Sequence, residues 1–226
     1  MRARAVKRLG AIVLAEAAAP TPKGANADQA LIEAVRKHGL ALLPWSKDSL
    51  ALRARLGWLA DTLGEPWPPM DDAALLGRLD GWLLPFLDGS GDLDRVASHL
   101  ADGLHTLVPH DRVRQIGDLA PTHYDAPSGS HVPISYEDGA PTLAIRVQEL
   151  FGLSTHPAIA DGKVPLVLEL LSPAHRPIQT TSDLPGFWRG SWADVRADMR
   201  GRYPKHEWPE DPANARATHR AKPRKR

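Results

Sequence analysis

The sequence predicts an α+β fold, a helical zone followed by a small antiparallel β unit, and three observations carry that reading. Apolar residues recur at three- and four-residue spacing as far as about Leu119, and after Pro121 the pattern turns to strand-like alternation. Hydrophobic residues make up 42% of the 226, enough to bury a core. The 21 Pro and 18 Gly keep individual elements short. A collagen-like, mucin-like or wholly disordered chain is excluded.

In chain order, residues 6–14 form a β-branched and Leu-rich run, read as one strand, and the small, Pro-rich residues 17–24 form a loop. Residues 1–25 are therefore a strand and linker. The helical subdomain spans 26–120. Asn26 with Gln29 three residues on resembles a capping box, Leu31, Ala34 and Val35 supply an apolar face, and Gly39 a stop. Ser46 caps a second helix over 47–63, ended by Gly64 and Pro66. Asp71 starts a third to about residue 87, Asp92 a fourth to about 107, and residues 109–119 add a short fifth. Trp45, Trp58 and Trp82 read as core anchors. The β unit, 121–183, has strands predicted at 131–136, 143–147, 164–170 and 177–181, separated by Gly, Pro and Asp turns. The C-terminal extension, 184–226, opens with a helix over 188–202, where Trp188, Trp192, Val195 and Met199 share a face away from Arg189, Arg196 and Arg200. Beyond Tyr203 it should be an extended basic tail, mobile over its last ten residues.

The net charge of +1 conceals an asymmetry. Residues 1–10 are +4, and 186–226 carry eleven basic against five acidic groups, or +6; removing both ends leaves −9 for residues 11–185. Cationic ends on an acidic body point to a polyanion or an acidic partner near the termini. The absence of cysteine excludes disulfides, thiolate metal sites and thiol nucleophiles. No apolar run reaches the length of a membrane span, and the basic start is too short and wrongly flanked for a signal peptide. These features predict a cytoplasmic protein with no membrane partner.

Catalytic patterns are weak. No G-x-x-x-x-G-K-[ST] phosphate cradle is present, and Asp88-Gly-Ser-Gly-Asp puts acids where phosphate needs cations. Asp125, Ser128 and His131 hold the residue types of a hydrolase triad, but within a turn and without G-x-S-x-G. His99, His105 and His110 lack metal-ligand spacing. The remaining constellation is basic and aromatic. Arg196, Arg200, Arg202, Tyr203, Lys205, His206 and Trp208 fall within thirteen residues. Cations neutralise phosphates while aromatic faces stack on unpaired bases. Candidate contacts with single-stranded RNA are Arg200, Arg202, Tyr203, Lys205, His206 and Trp208, helped by Lys163 and Arg176 from the β unit. The same residues could instead strap the terminal helix to its own domain, with Tyr and Trp buried and Arg paired to acids.

Several longer motifs occur in a fixed order: Gln148-Glu-Leu-Phe-Gly-Leu, Pro165-Leu-Val-Leu-Glu-Leu-Leu-Ser-Pro-Ala-His-Arg-Pro, Phe187-Trp, and Val195-Arg-Ala-Asp-Met-Arg-Gly-Arg-Tyr-Pro-Lys-His-Glu-Trp-Pro. This series resembles the C-terminal end of the HrpB family of bacterial DEAH-type ATP-dependent RNA helicases. Arg8-Leu-Gly-Ala-Ile-Val-Leu, Leu43-Pro-Trp and Leu119-Ala-Pro-Thr-His extend the resemblance over nearly the whole chain. It implies an OB-like β unit and a C-terminal extension packed on auxiliary domains, with the helicase motor and auxiliary domains and single-stranded RNA as partners. The family's phosphate loop, Asp-Glu-Ala-His box and arginine-finger motif have no counterpart here, so ATP and magnesium are implied only for motor domains. By this reading the chain has no catalytic residues and no cofactor of its own. Its role is an accessory one in RNA guidance and motor support; the alternative is a docking module without nucleic acid contact.

Overall fold

The computed structural model describes residues 23–219, together with the backbone of strands at 4–9 and 12–18. The chain divides into two compact units, Met1–Val113 and Arg114–Arg226.

In the first unit the run read as one strand is two, β1 (Arg4–Leu9) and β2 (Ile12–Ala18), paired antiparallel. Helix α1 (Ala25–His38) starts before the expected cap, with Gly24 at the N-cap and Asn26 inside the first turn. The start is set by a tie to the 88–91 loop: Gly24 N–H donates to the Gly89 carbonyl and Gly89 N–H to the Asp28 carboxylate. A Cβ on Gly89 would stand 2.7 Å from Gly24 Cα, so only glycine permits this approach. Leu31, Ile32 and Val35 are buried, and the helix stops at Gly39, whose φ is 86°. Helix α2 (Lys47–Leu63) has the predicted ends, a capping box between Ser46 and Ser49 and a positive-φ Gly64.

The expected third helix is instead α3 (Asp72–Leu76), α4 (Leu79–Trp82) and a 3₁₀ turn at Leu84–Phe86. Asp71 caps it as expected, accepting from Ala74 N–H. Gly77, Gly81 and Pro85 weaken a continuous helix. The Leu75 carbonyl also turns to the fully buried Trp82 indole, which donates to it at 3.0 Å. The fourth helix breaks likewise into α5 (Leu93–Ala97) and α6 (Leu100–Thr106), the Ser98 hydroxyl donating back to the Arg95 carbonyl. Gly103 faces the Trp82 backbone so closely that a Cβ would lie 2.3 Å from its carbonyl oxygen. Trp58 and Trp82 are buried anchors, whereas Trp45 is half-buried and stacks on Trp82.

In the second unit α7 (Gln115–Leu119) precedes an antiparallel hairpin of β3 (His123–Asp125) and β4 (His131–Pro133). A three-stranded sheet follows, in the order β5 (Thr142–Arg146), β8 (Val167–Leu171), β9 (Pro177–Thr181), with β6 (Ala158–Ile159) and β7 (Val164–Pro165) paired between them in the chain. The expectation of an antiparallel unit is corrected: β8 pairs antiparallel with β9 but parallel with β5. The connection carrying the 3₁₀ turn at Val147–Leu150 and the β6–β7 pair is long enough to make the crossover that parallel strands require. Both β5 and β8 bury alternate residues: Leu143 and Ile145, then Leu168 and Leu170.

The predicted terminal helix is two, α8 (Leu184–Arg189) and α9 (Trp192–Arg202), separated at Gly190 and Ser191. Trp188, Trp192 and Met199 are buried as expected, and Val195 is half-buried. Residues 203–218 do not form an extended tail. Trp208 and Pro212 are buried, Gly152 N–H donates to the Pro212 carbonyl, and Thr218 N–H donates to the Gln148 carbonyl. The segment is a strap laid on the Gln148–Gly152 turn. The last basic residues, 220–226, lie outside the described residues.

Candidate nucleic-acid interface

The strap separates the basic and aromatic candidates into structural and accessible groups. Trp192 sits among Phe151, Trp188 and Trp208, with ring centroids 5.5, 5.4 and 6.1 Å away, and its indole donates to the Pro209 carbonyl. Trp208 is only 7% exposed and donates to the Tyr203 carbonyl at 3.0 Å, so neither face of its ring is open to a base. That corrects its assignment as a stacking residue. Arg196 is likewise engaged, donating to the Trp208 carbonyl and pairing with Glu210 at 2.9 Å.

Arg176, Arg202 and Tyr203 are brought together. They line one cleft of about 360 Å³ between the β8–β9 turn and α9, floored by Pro177, Ile178, Val195 and Met199 and flanked by Asp194 and Asp198. Ser172, buried at the cleft's end, accepts from Arg176 N–H through its hydroxyl, and the Tyr203 hydroxyl donates to the same oxygen at 3.4 Å. Arg202 pairs with Asp198 at 2.8 Å, but the two side chains remain 66% and 46% exposed. Such a surface pair is worth about 1 kcal/mol or less and yields readily to a competing anion.

The other candidates lie elsewhere. Arg200 is exposed, but two residues along a helix rotate a side chain by about 200°, which sets it across α9 from Arg202. Lys205 is exposed and outside the cleft lining. Lys163 is exposed in the β6–β7 turn, after the left-handed run Ala160, Asp161 and Gly162. His206 is half-buried, and burial, reinforced by the Arg146 charge, pushes its imidazole below the usual histidine range. Both effects disfavour its cationic form and so its expected part in the cluster.

The Asp125, Ser128 and His131 set does not assemble as a triad. His131 Nδ1 meets Asp125, while the Ser128 hydroxyl donates to Glu149 at 2.8 Å. Glu149 is buried, which alone would raise its pKa, but bonds from Ser130, Arg146 and Ser128 together with the Arg146 charge outweigh burial and hold it below the usual carboxylate range. This network fixes the turn on which the strap rests, and composition offered no signal for it. Among the described residues no group of three or more His, Asp or Glu could hold a metal ion, and no helix is long and apolar enough to cross a membrane.

A cleft lined by two guanidinium groups, two carboxylates and a tyrosine ring, on a strapped α+β unit, is what these residues build, and comparison with known proteins gives it a context. The chain belongs to the ATP-dependent helicase C-terminal family, whose profile matches residues 82–212. It is 46% identical over 197 residues to the ATP-dependent RNA helicase HrpB of Escherichia coli (strain K12), an alignment that takes in 86% of this chain and 24% of that protein. It thus spans about a quarter of that relative's length. The crystal structure of the E. coli DExH-box NTPase HrpB superimposes with a TM-score of 0.82 at 39% identity, covering 98% of this chain and 30% of that one. That of the Escherichia coli DEAH/RHA helicase HrpB gives 0.70 at 38% identity, covering 91% and 26%.

Proposed function

We propose that the chain acts as the accessory C-terminal region of an HrpB-like ATP-dependent RNA helicase, contacting single-stranded RNA and supporting motor and auxiliary domains that it does not itself contain. The observation that carries this reading is the meeting of Arg176, Arg202 and Tyr203 at one cleft, in a family of ATP-dependent helicases. Guanidinium forks bind phosphate oxygens, and a tyrosine ring beside them suits an unpaired base. On this reading residues 121–183 work as an OB-like unit between the helical subdomain, 26–120, and the C-terminal extension, 184–226. The protein acts in the cytoplasm, and ATP and magnesium belong to the motor domains alone.

Binding of labelled single-stranded RNA, followed by fluorescence anisotropy over a range of salt concentrations, tests the reading. Changing Arg176 and Arg202 together to Ala should weaken binding and reduce the salt slope by about 1.4, roughly 0.7 for each lost phosphate contact. Arg200→Ala should change little. The competing reading, a docking module without RNA contact, draws on the commitment of Arg196 and Trp208 to the strap. It becomes the better one if the intact chain shows no salt-dependent RNA binding.

A further inference from the structure

We propose that His123 and His131 form a stacking platform for an unpaired base of single-stranded RNA, an inference that rests on the RNA reading above and adds a site separate from the cleft. In the β3–β4 register Asp125 opposes His131 and His123 opposes Pro133, so the two histidines are diagonal neighbours on one face of the hairpin. Their rings lie flat on each other, with centroids 4.2 Å apart and planes 7° from parallel. Each ring is held by its own Nδ1, His131 by the Asp125 carboxylate at 2.6 Å and His123 by the Thr122 hydroxyl at 3.0 Å. The platform is therefore oriented before a ligand arrives, which lowers the ordering cost of binding.

His131 is 64% exposed, and with one face on His123 its other face is open to solvent. A flat aromatic pair left in water is the surface on which a nucleobase stacks. Asp125, 89% exposed beside His131, repels phosphate. What the platform offers is thus a π-face for a base. Its contribution should be nearly independent of salt, whereas that of the Arg176–Arg202 cleft is not.

The test uses the whole chain at pH 8 and a single-stranded RNA carrying the fluorescent base 2-aminopurine, whose emission is quenched on stacking. His131→Ala should weaken binding about five-fold, abolish the quenching and leave the salt slope unchanged, while His131→Phe, which keeps an aromatic face, should restore both. The Arg176→Ala, Arg202→Ala variant should do the reverse, flattening the slope but keeping the quenching at saturation. Circular dichroism checks that each variant is folded. If His131→Ala binds and quenches like the native chain, or if His131→Phe fails to restore what Ala removes, the platform is overturned and the RNA reading stands. Failure of the native chain to bind RNA at all refutes that reading and the platform with it.

Discussion

Trp192→Ala should be the most damaging single change in the second unit. The side chain is 2% exposed, and its ring meets Phe151, Phe187 and Trp188 edge-on and Trp208 at a tilt. Truncating a buried Trp costs about 3 to 5 kcal/mol through lost transfer energy and the cavity left behind. The upper half applies here, because geometrically favourable aromatic pairs contribute beyond area and the Pro209 carbonyl loses its donor. Trp192→Phe keeps the ring contacts and loses chiefly the indole N–H, so it should cost about 1 to 2 kcal/mol. Urea unfolding followed by far-ultraviolet circular dichroism measures both without relying on the fluorescence that the mutation alters. Since Trp192 also holds the strap, trypsin should cut faster at Arg200, Arg202 and Lys205 in the Ala variant. A loss under about 1 kcal/mol, or unchanged proteolysis, would refute the view that this ring joins the strap to α8 and Phe151.

Two further outcomes are expected. Glu149→Gln removes a carboxylate held below its ordinary value of 4.5. The native chain's advantage, about 1.5 to 3 kcal/mol for bonds to a charged group and nearer the lower figure because Arg146 is 22% exposed, should be complete above that value. It should disappear as pH falls through the lowered folded-state value, so a difference in unfolding midpoint that persists undiminished to pH 3 would sink the account. His156 donates from Nε2 to the Leu166 carbonyl and accepts at Nδ1 from Leu184 N–H, joining the strand region to the first turn of α8. Nitrogen chemical shifts of the imidazole should therefore show hydrogen on Nε2 and none on Nδ1 at neutral pH, and the opposite tautomer would contradict the assigned bonds.

What could be read from the sequence was what depends on neighbours along the chain. The ends of α2 at Lys47 and Leu63 followed from Ser46 and Gly64, and β9 ran from Pro177 to Thr181 as its turn residues implied. The burial of Trp192 and Met199 followed from their spacing within α9, whereas Trp188, also buried, lies in the separate α8. Features governed by partners distant in sequence were not legible. Alternation in residues 143–147 and 164–170 identifies strands but carries no information about direction, so the parallel pairing of β5 with β8 was invisible. The helix breaks near Gly77 and Ser98 rest on nearer partners, the Trp82 indole donating to the Leu75 carbonyl and the Ser98 hydroxyl to the Arg95 carbonyl, bonds that apolar spacing does not reveal.

The candidate site shows the same division more sharply, because closeness in sequence was taken for closeness in space. Arg200 and Arg202 are two residues apart yet point to opposite sides of α9, while Arg176 and Arg202, twenty-six positions apart, line one cleft. Trp208 and Arg196 have the composition of an RNA contact, but the indole packs on Trp192 and donates to the Tyr203 carbonyl, and the guanidinium donates to the Trp208 carbonyl. His123 and His131 attracted no notice as a pair, since nothing between them suggests an aromatic site. Strand register alone brings their rings together. A nucleic-acid surface on this unit must therefore be sought where the fold leaves cations and flat rings exposed. By that criterion the Arg176–Arg202 cleft and the histidine hairpin are stronger candidates than the dense basic and aromatic run that first suggests one.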